Sequence, residues 1–118
     1  MCLVLARSFL TFATDTLKFT IDIRTASTVT ESLLVTDVLP TGGQWSFTCA
    51  ASGTNSTCSS AVGVGDLNAF AFTLGVGGSV RIVASSPTCN LNGNIANTIN
   101  VGGTQASATV AVVKPAAL

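Results

Sequence analysis

From Leu17 to Thr25 the chain reads LKFTIDIRT, and the alternation is strict: Leu17, Phe19, Ile21 and Ile23 fall on one side, Lys18, Thr20, Asp22 and Arg24 on the other. A period of two belongs to an extended strand with one face buried and one in water. On a helix the same four apolar residues would scatter round the axis. A half-buried strand needs a sheet around it and a second layer against its apolar face. That requirement governs the reading of everything else.

An apolar stretch follows at 33–43, LLVTDVLPTGG. Leu33, Leu34, Val35, Val38 and Leu39 supply apolar groups to both faces, which suits a strand in the middle of a sheet. Pro40-Thr41-Gly42-Gly43 ends it, because proline removes a ladder donor and glycine accepts dihedrals that other residues avoid. Residues 2–13 (CLVLARSFLTFA) alternate imperfectly around Leu3, Leu5, Phe9 and Phe12, and predict an edge strand with a bulge or bend near Arg7-Ser8. Trp45, Phe47 and Cys49 share one face of a further strand. Val62 to Asp66, with Gly63 and Gly65, reads as a turn.

Further strands are expected at Phe70, Phe72 and Leu74, at Ser79 to Ser85, at Ile95, Ile99 and Val101, and finally at 106–113. Glycine-rich turns separate them, and no helical period is present. The expected fold is a single all-β domain over 1–118, an immunoglobulin-like Greek-key sandwich of about seven to nine antiparallel strands.

Composition narrows the function classes. Hydrophobic residues make up 47% and charged residues only 8%, against about 25% charged in ordinary soluble domains. The mean hydropathy of +0.62 is far too high for a disordered chain. Formal net charge is zero, which argues against nucleic acid or an anionic membrane as partner, since both capture a basic excess. The apolar start, residues 1–13, is broken by Arg7 and is shorter than the roughly 20 residues of a membrane span. It also lacks the charged leader region and clean cleavage site of a secretion signal. No membrane insertion is expected.

The four cysteines, Cys2, Cys49, Cys58 and Cys89, form an even set in a small Ser-, Thr- and Gly-rich chain. Disulfides and an oxidising, extracellular or cell-surface location are the expectation. Zinc is disfavoured, because no C-x-x-C and no histidine occur. A Cys49–Cys58 bridge would pin a short loop, and with Cys2–Cys89 it is one of three connectivities open to four cysteines. Inside that loop Asn55-Ser56-Thr57 is an N-glycosylation sequon.

In its order of features the chain resembles the bacterial and archaeal extracellular repeat domain catalogued as domain of unknown function eleven. That family places a Y-T-I-T-V strand before V-V-V-T-D-x-L-P-x-G, matched here by LKFTIDI at 17–23 and LLVTDVLPTG at 33–42. Trp45, Cys49 and Cys58 match its W-x-C and following cysteine. Gly77-Gly78-Ser79-Val80-Arg81-Ile82-Val83 and Ile95-Ala96-Asn97-Thr98-Ile99-Asn100-Val101 match its later strands. The resemblance spans about residues 3 to 113. It departs at Phe19, where the family carries tyrosine, and at Thr14 or Asp15 in place of a glycine. It implies an immunoglobulin-like module of secreted or wall-attached surface proteins, with no agreed activity. Its members occur mostly in tandem; this sequence holds one copy, which favours self-assembly over a spacer role.

Catalytic chemistry finds little support. Histidine and tyrosine are absent, and the five carboxylates, Asp15, Asp22, Glu31, Asp37 and Asp66, do not cluster in the sequence. Asp37, inside the 33–43 stretch and three residues before Pro40, could serve as a calcium ligand or an acid. The stronger reading is a side chain that accepts backbone N–H bonds at the corner. A Lys–Asn isopeptide link needs a buried lysine, and Lys18 lies on the polar side of its strand. Gly63-Val64-Gly65 and Gly75-Val76-Gly77-Gly78 complete no phosphate-loop pattern and read as turns. Trp45 and the six phenylalanines are expected in the core rather than on a sugar-binding platform. No catalytic residue, metal or cofactor is expected.

Two functional readings remain. The first is a non-enzymatic, self-associating subunit of an extracellular filament, pilus-like fibre or surface layer. Copies would join through strand or sheet-edge contacts, with 1–13 or 106–113 as donor. The alternative is a monomeric adhesion or ligand-binding module that holds a glycan or surface ligand on loops such as 51–60 and 86–94.

Overall fold

The computed structural model describes residues 3–6, 9–12, 16–24, 28–88, 91 and 93–113. Its strands are β1 (Leu3–Ala6), β2 (Phe9–Phe12), β3 (Thr16–Arg24), β4 (Glu31–Asp37), β5 (Ser46–Ser52), β6 (Thr57–Cys58), β7 (Val62–Val64), β8 (Leu67–Leu74), β9 (Ser79–Pro87), β10 (Gly93–Val101) and β11 (Thr104–Val113). From β3 onward nine strands form two antiparallel sheets, ordered β11-β10-β4-β8-β6 and β3-β9-β5-β7. The short β1 and β2 extend the first sheet beyond β11. The described residues contain no helix. The expected all-β immunoglobulin-like sandwich is the observed fold, and the chain changes sheet at every connection between β3 and β10.

The alternation of β3 translates directly into burial. Leu17, Phe19, Ile21 and Ile23 are buried, while Lys18, Thr20, Asp22 and Arg24 are exposed. β3 pairs along its whole length with β9, from Thr16 opposite Pro87 to Arg24 opposite Ser79. Val80, Ile82 and Ala84 of β9 meet the same core. From the other sheet come Val35, Leu67, Phe72, Leu74, Ile95, Ile99 and Val112. Phe47 of β5 and Phe70 of β8 meet edge to face across the layers, with ring centroids 5.2 Å apart.

β4 is the central strand expected from the apolar run, flanked by β10 and β8. Its two faces differ, however. Val35, Asp37 and Leu39 point inward, whereas Leu34 and Val38 are 52% and 75% exposed. The expectation of two buried faces fails because a two-layer sandwich covers only one side of each sheet.

Two other expectations change. Residues 2–13 do not form one bent edge strand: β1 and β2 pair antiparallel with each other, Leu3 opposite Phe12 and Ala6 opposite Phe9. Val62–Val64 is a strand paired with Ser46–Thr48 rather than a turn. Gly63 lies against the Phe47 ring, where an added Cβ would collide with it, so this glycine serves packing. In β8 a register shift against β4 sets Val35 opposite Phe70 but Asp37 opposite Leu67. The extra residue lies next to Ala69, whose φ is 49°. It turns both Leu67 and Phe70 inward although their numbers differ by an odd step.

Candidate functional site

The sandwich has two long edges, and they are built differently. One edge carries β7 and β6, the outer strands of the two sheets. Here Cys49 of β5 and Cys58 of β6 are joined by a disulfide, with their Cα atoms 6.1 Å apart, so a covalent bond links one sheet to the other. Backbone bonds reinforce the closure: the Cys49 N–H donates to the Ala61 carbonyl at 2.8 Å and the Ser59 N–H to the Ala71 carbonyl at 3.1 Å. The Gly75 N–H donates to Ser56 Oγ at 3.0 Å. Asn55 sits on the exposed turn of this loop with a φ of 63°.

The opposite edge is open. β3 is the outer strand of its sheet, and across the gap runs β11. β11 pairs fully with β10, from Gly93 opposite Val112 to Val101 opposite Thr104. On its other side it meets β1 only at Val113 and Val112. Between the two sheets along this edge lies a cleft of about 700 Å³. Phe19, Ile21, Ile23, Ile99, Ala106 and Ala108 line it. β11 shows the consequence in its burial: every residue from Thr104 to Thr109 is exposed, on both faces of the strand. The alanines that face the core direction are too small to close the gap to β3.

A polar pair reaches this region from inside. Asn97 Nδ2 donates to Asp37 Oδ2 at 2.7 Å, and both residues are buried. Burial pushes the Asp37 carboxyl above the usual aspartate range; the Asn97 hydrogen bond opposes that rise and the nearby Asp66 charge adds to it. Asp37 Oδ1 and Asn97 Oδ1 have no hydrogen-bond partner among the described residues.

The expectation that Asp37 accepts a backbone N–H at the corner is corrected. That role belongs to Asp66, whose Oδ1 accepts the Leu39 N–H at 2.9 Å. Asn97 was not singled out in the sequence, though its place between Ile95 and Ile99, on one face of an alternating strand, is the signal of an inward polar residue.

The other candidates are dispersed. Lys18 is exposed. Asp22 pairs on the outer surface with Arg81 opposite it, Nε to Oδ1 at 2.7 Å, and this guanidinium hydrogen bond holds the Asp22 carboxyl below its ordinary pKa. Trp45 is buried and donates through Nε1 to the Pro40 carbonyl at 2.8 Å, beside Phe19. Cys2 and Cys89 lie outside the described residues. Among the described residues no group of three or more metal-ligating side chains gathers. No helix among them is long and apolar enough to cross a membrane. What the open edge offers chemically is a row of backbone donors and acceptors on β11 above a trough of mixed apolar and polar lining.

No family model, curated protein or solved structure matches the chain.

Proposed function

We propose that this protein is a non-enzymatic structural subunit that associates with further copies of itself into an extracellular filament, pilus-like fibre or surface layer. One observation carries the reading: the outer edge of β11 runs unpaired by any described strand from Thr104 to Ala111, beside a cleft with a floor of Phe19, Ile21, Ile23 and Ile99 and a polar rim that includes Lys18, Arg24 and Glu31. An exposed strand edge is a template for another chain, and main-chain bonds along it supply affinity with little need for charge. The charge-poor composition suits such contacts. The disulfide suits an oxidising compartment outside the cytosol. The resemblance to an extracellular repeat domain points the same way.

Electron microscopy of purified material under non-reducing conditions tests the reading. Ordered filaments or sheets are expected, and a variant lacking residues 1–13 or 106–113 should give none. Discrete small particles from the full chain at all concentrations would defeat it. The exposed crown of the disulfide-pinned loop, Gly53 to Asn55, would then favour the adhesion reading. Glycan binding by those particles would be the next measurement.

A further inference from the structure

We infer that the cleft between β3 and β11 is filled by the N-terminal segment of a second copy, running antiparallel to β11 with Leu10 opposite Ala108 and Phe12 opposite Ala106. The inference rests on the self-association reading and names the contact that carries it.

The register is already set at one end of the seam. β1 pairs antiparallel with β11 at Leu5 opposite Val113 and Ala6 opposite Val112. β2 runs antiparallel to β1, so that Phe9 pairs with Ala6 instead of with Thr109. Continued without a bulge, the register of β1 would carry Leu10 to Ala108 and Phe12 to Ala106. Directly opposed residues of an antiparallel pair share a face. Ala106 and Ala108 line the cleft, so Leu10 and Phe12 would be delivered into it. The rows also match in size. Ala106 has Ile99 on its other side and Ala108 has Asn97. A large apolar group next to each alanine supplies the volume that β11 leaves empty, against Ile21 and Ile23 of β3.

The chain cannot fill its own cleft in this way. β3 starts at Thr16, which pairs with Pro87. Six residues after Pro87, Gly93 pairs with Val112. Thr16 therefore sits at the Val112 end of the seam. Ala106 is six residues along β11 from Val112, about 20 Å at the rise of a strand. Four residues from Phe12 to Thr16 span at most about 14 Å when fully extended. A segment seated opposite Ala106 must therefore belong to another molecule.

Release from its own body is inexpensive, because a two-stranded hairpin attached over two residue pairs has little stability of its own. Each copy would give its segment to one neighbour and receive one from another. That contact is heterologous and need not close, so it propagates as a fibre.

The test uses the full chain with Phe12 replaced by photo-reactive p-benzoylphenylalanine, assembled from an equal mixture of isotopically light and heavy protein. Irradiation should yield cross-linked peptides carrying one light and one heavy partner, joining position 12 to the cleft-lining parts of β3, β10 or β11. Mixed-label links to other surfaces, or links only within one chain, in material that still forms filaments would overturn this contact and leave self-association standing. Material that never assembles would overturn both. A second variant, Ala108→Arg, places a charge where solvent reaches it in the single subunit but where an added strand would cover it. Filament yield by sedimentation should drop at least about tenfold while the melting temperature stays within about 3 °C. Undiminished filaments would overturn the contact.

Discussion

The two long edges of this sandwich solve the same problem in opposite ways. At the β6–β7 edge the chain crosses between sheets through short strands and ties them with the Cys49–Cys58 bond. At the β3–β11 edge no disulfide among the described residues joins the sheets, and β11 shows six consecutive exposed residues, Thr104 to Thr109. Closure at one edge keeps the layers at a fixed separation, so the other can remain open without the sheets collapsing onto each other. The difference teaches that an unfilled seam can be a designed feature of a stable fold when rigidity is supplied elsewhere.

Truncating matched core residues near each edge puts that comparison at risk most directly. Phe47 packs against Phe70 by the closed edge and is buried. Phe47→Ala should cost about 3–5 kcal/mol in urea unfolding. Ile21 is equally buried but lines the cleft, so Ile21→Ala should fall at the low end of its class, about 2 kcal/mol. Equal costs would mean the open edge is packed as firmly as the closed one.

Removing the staple comes next in size. Cys49→Ala together with Cys58→Ala releases a nine-residue separation and should lower stability by at most about 3 kcal/mol. It should also make the 50–60 loop the first site of proteolytic cleavage under native conditions. If cleavage instead began in β11, the assignment of which edge is held and which is open would be reversed.

The smallest effect concerns the buried Asp37–Asn97 pair. Burial raises the Asp37 carboxyl above its ordinary 3.8. A carboxyl raised in the folded state favours folding while protonated, and that contribution is lost as pH rises through the raised value. Asp37→Asn removes the charge and lets two amides pair reciprocally, with an NH2 group in place of the unpartnered Asp37 Oδ1 donating to the unpartnered Asn97 Oδ1. The variant should gain on the parent by about 1 kcal/mol between pH 4 and neutrality. Parallel stability curves for the two proteins would show that Asp37 stays ionised at no cost.

Much of this architecture is legible in the residues. The β3 alternation specifies its burial outright, and the Pro40-Thr41-Gly42-Gly43 corner ends the central strand. Gly102 and Gly103 make the turn before β11, both with positive φ. What escaped the sequence depends on partners far along the chain. Asp37 and Asn97 are 60 residues apart, and only the pairing of β4 with β10 brings them together. Gly63 looks like turn punctuation until the Phe47 ring is seen to need its space. Leu34 and Val38 look buried until the number of layers is known. The open cleft depends on small residues, Ala106 and Ala108, that read locally as ordinary strand positions.

The corner at Trp45 has one more consequence. It holds the sole tryptophan of a chain without tyrosine. The indole is pinned by Pro40 and rests beside Phe19 on the strand that borders the cleft. Ultraviolet emission excited at the red edge therefore comes from a single place in the molecule. Each subunit carries its own optical gauge next to the seam, and the colour of its glow reports the wetness of that corner without any label attached.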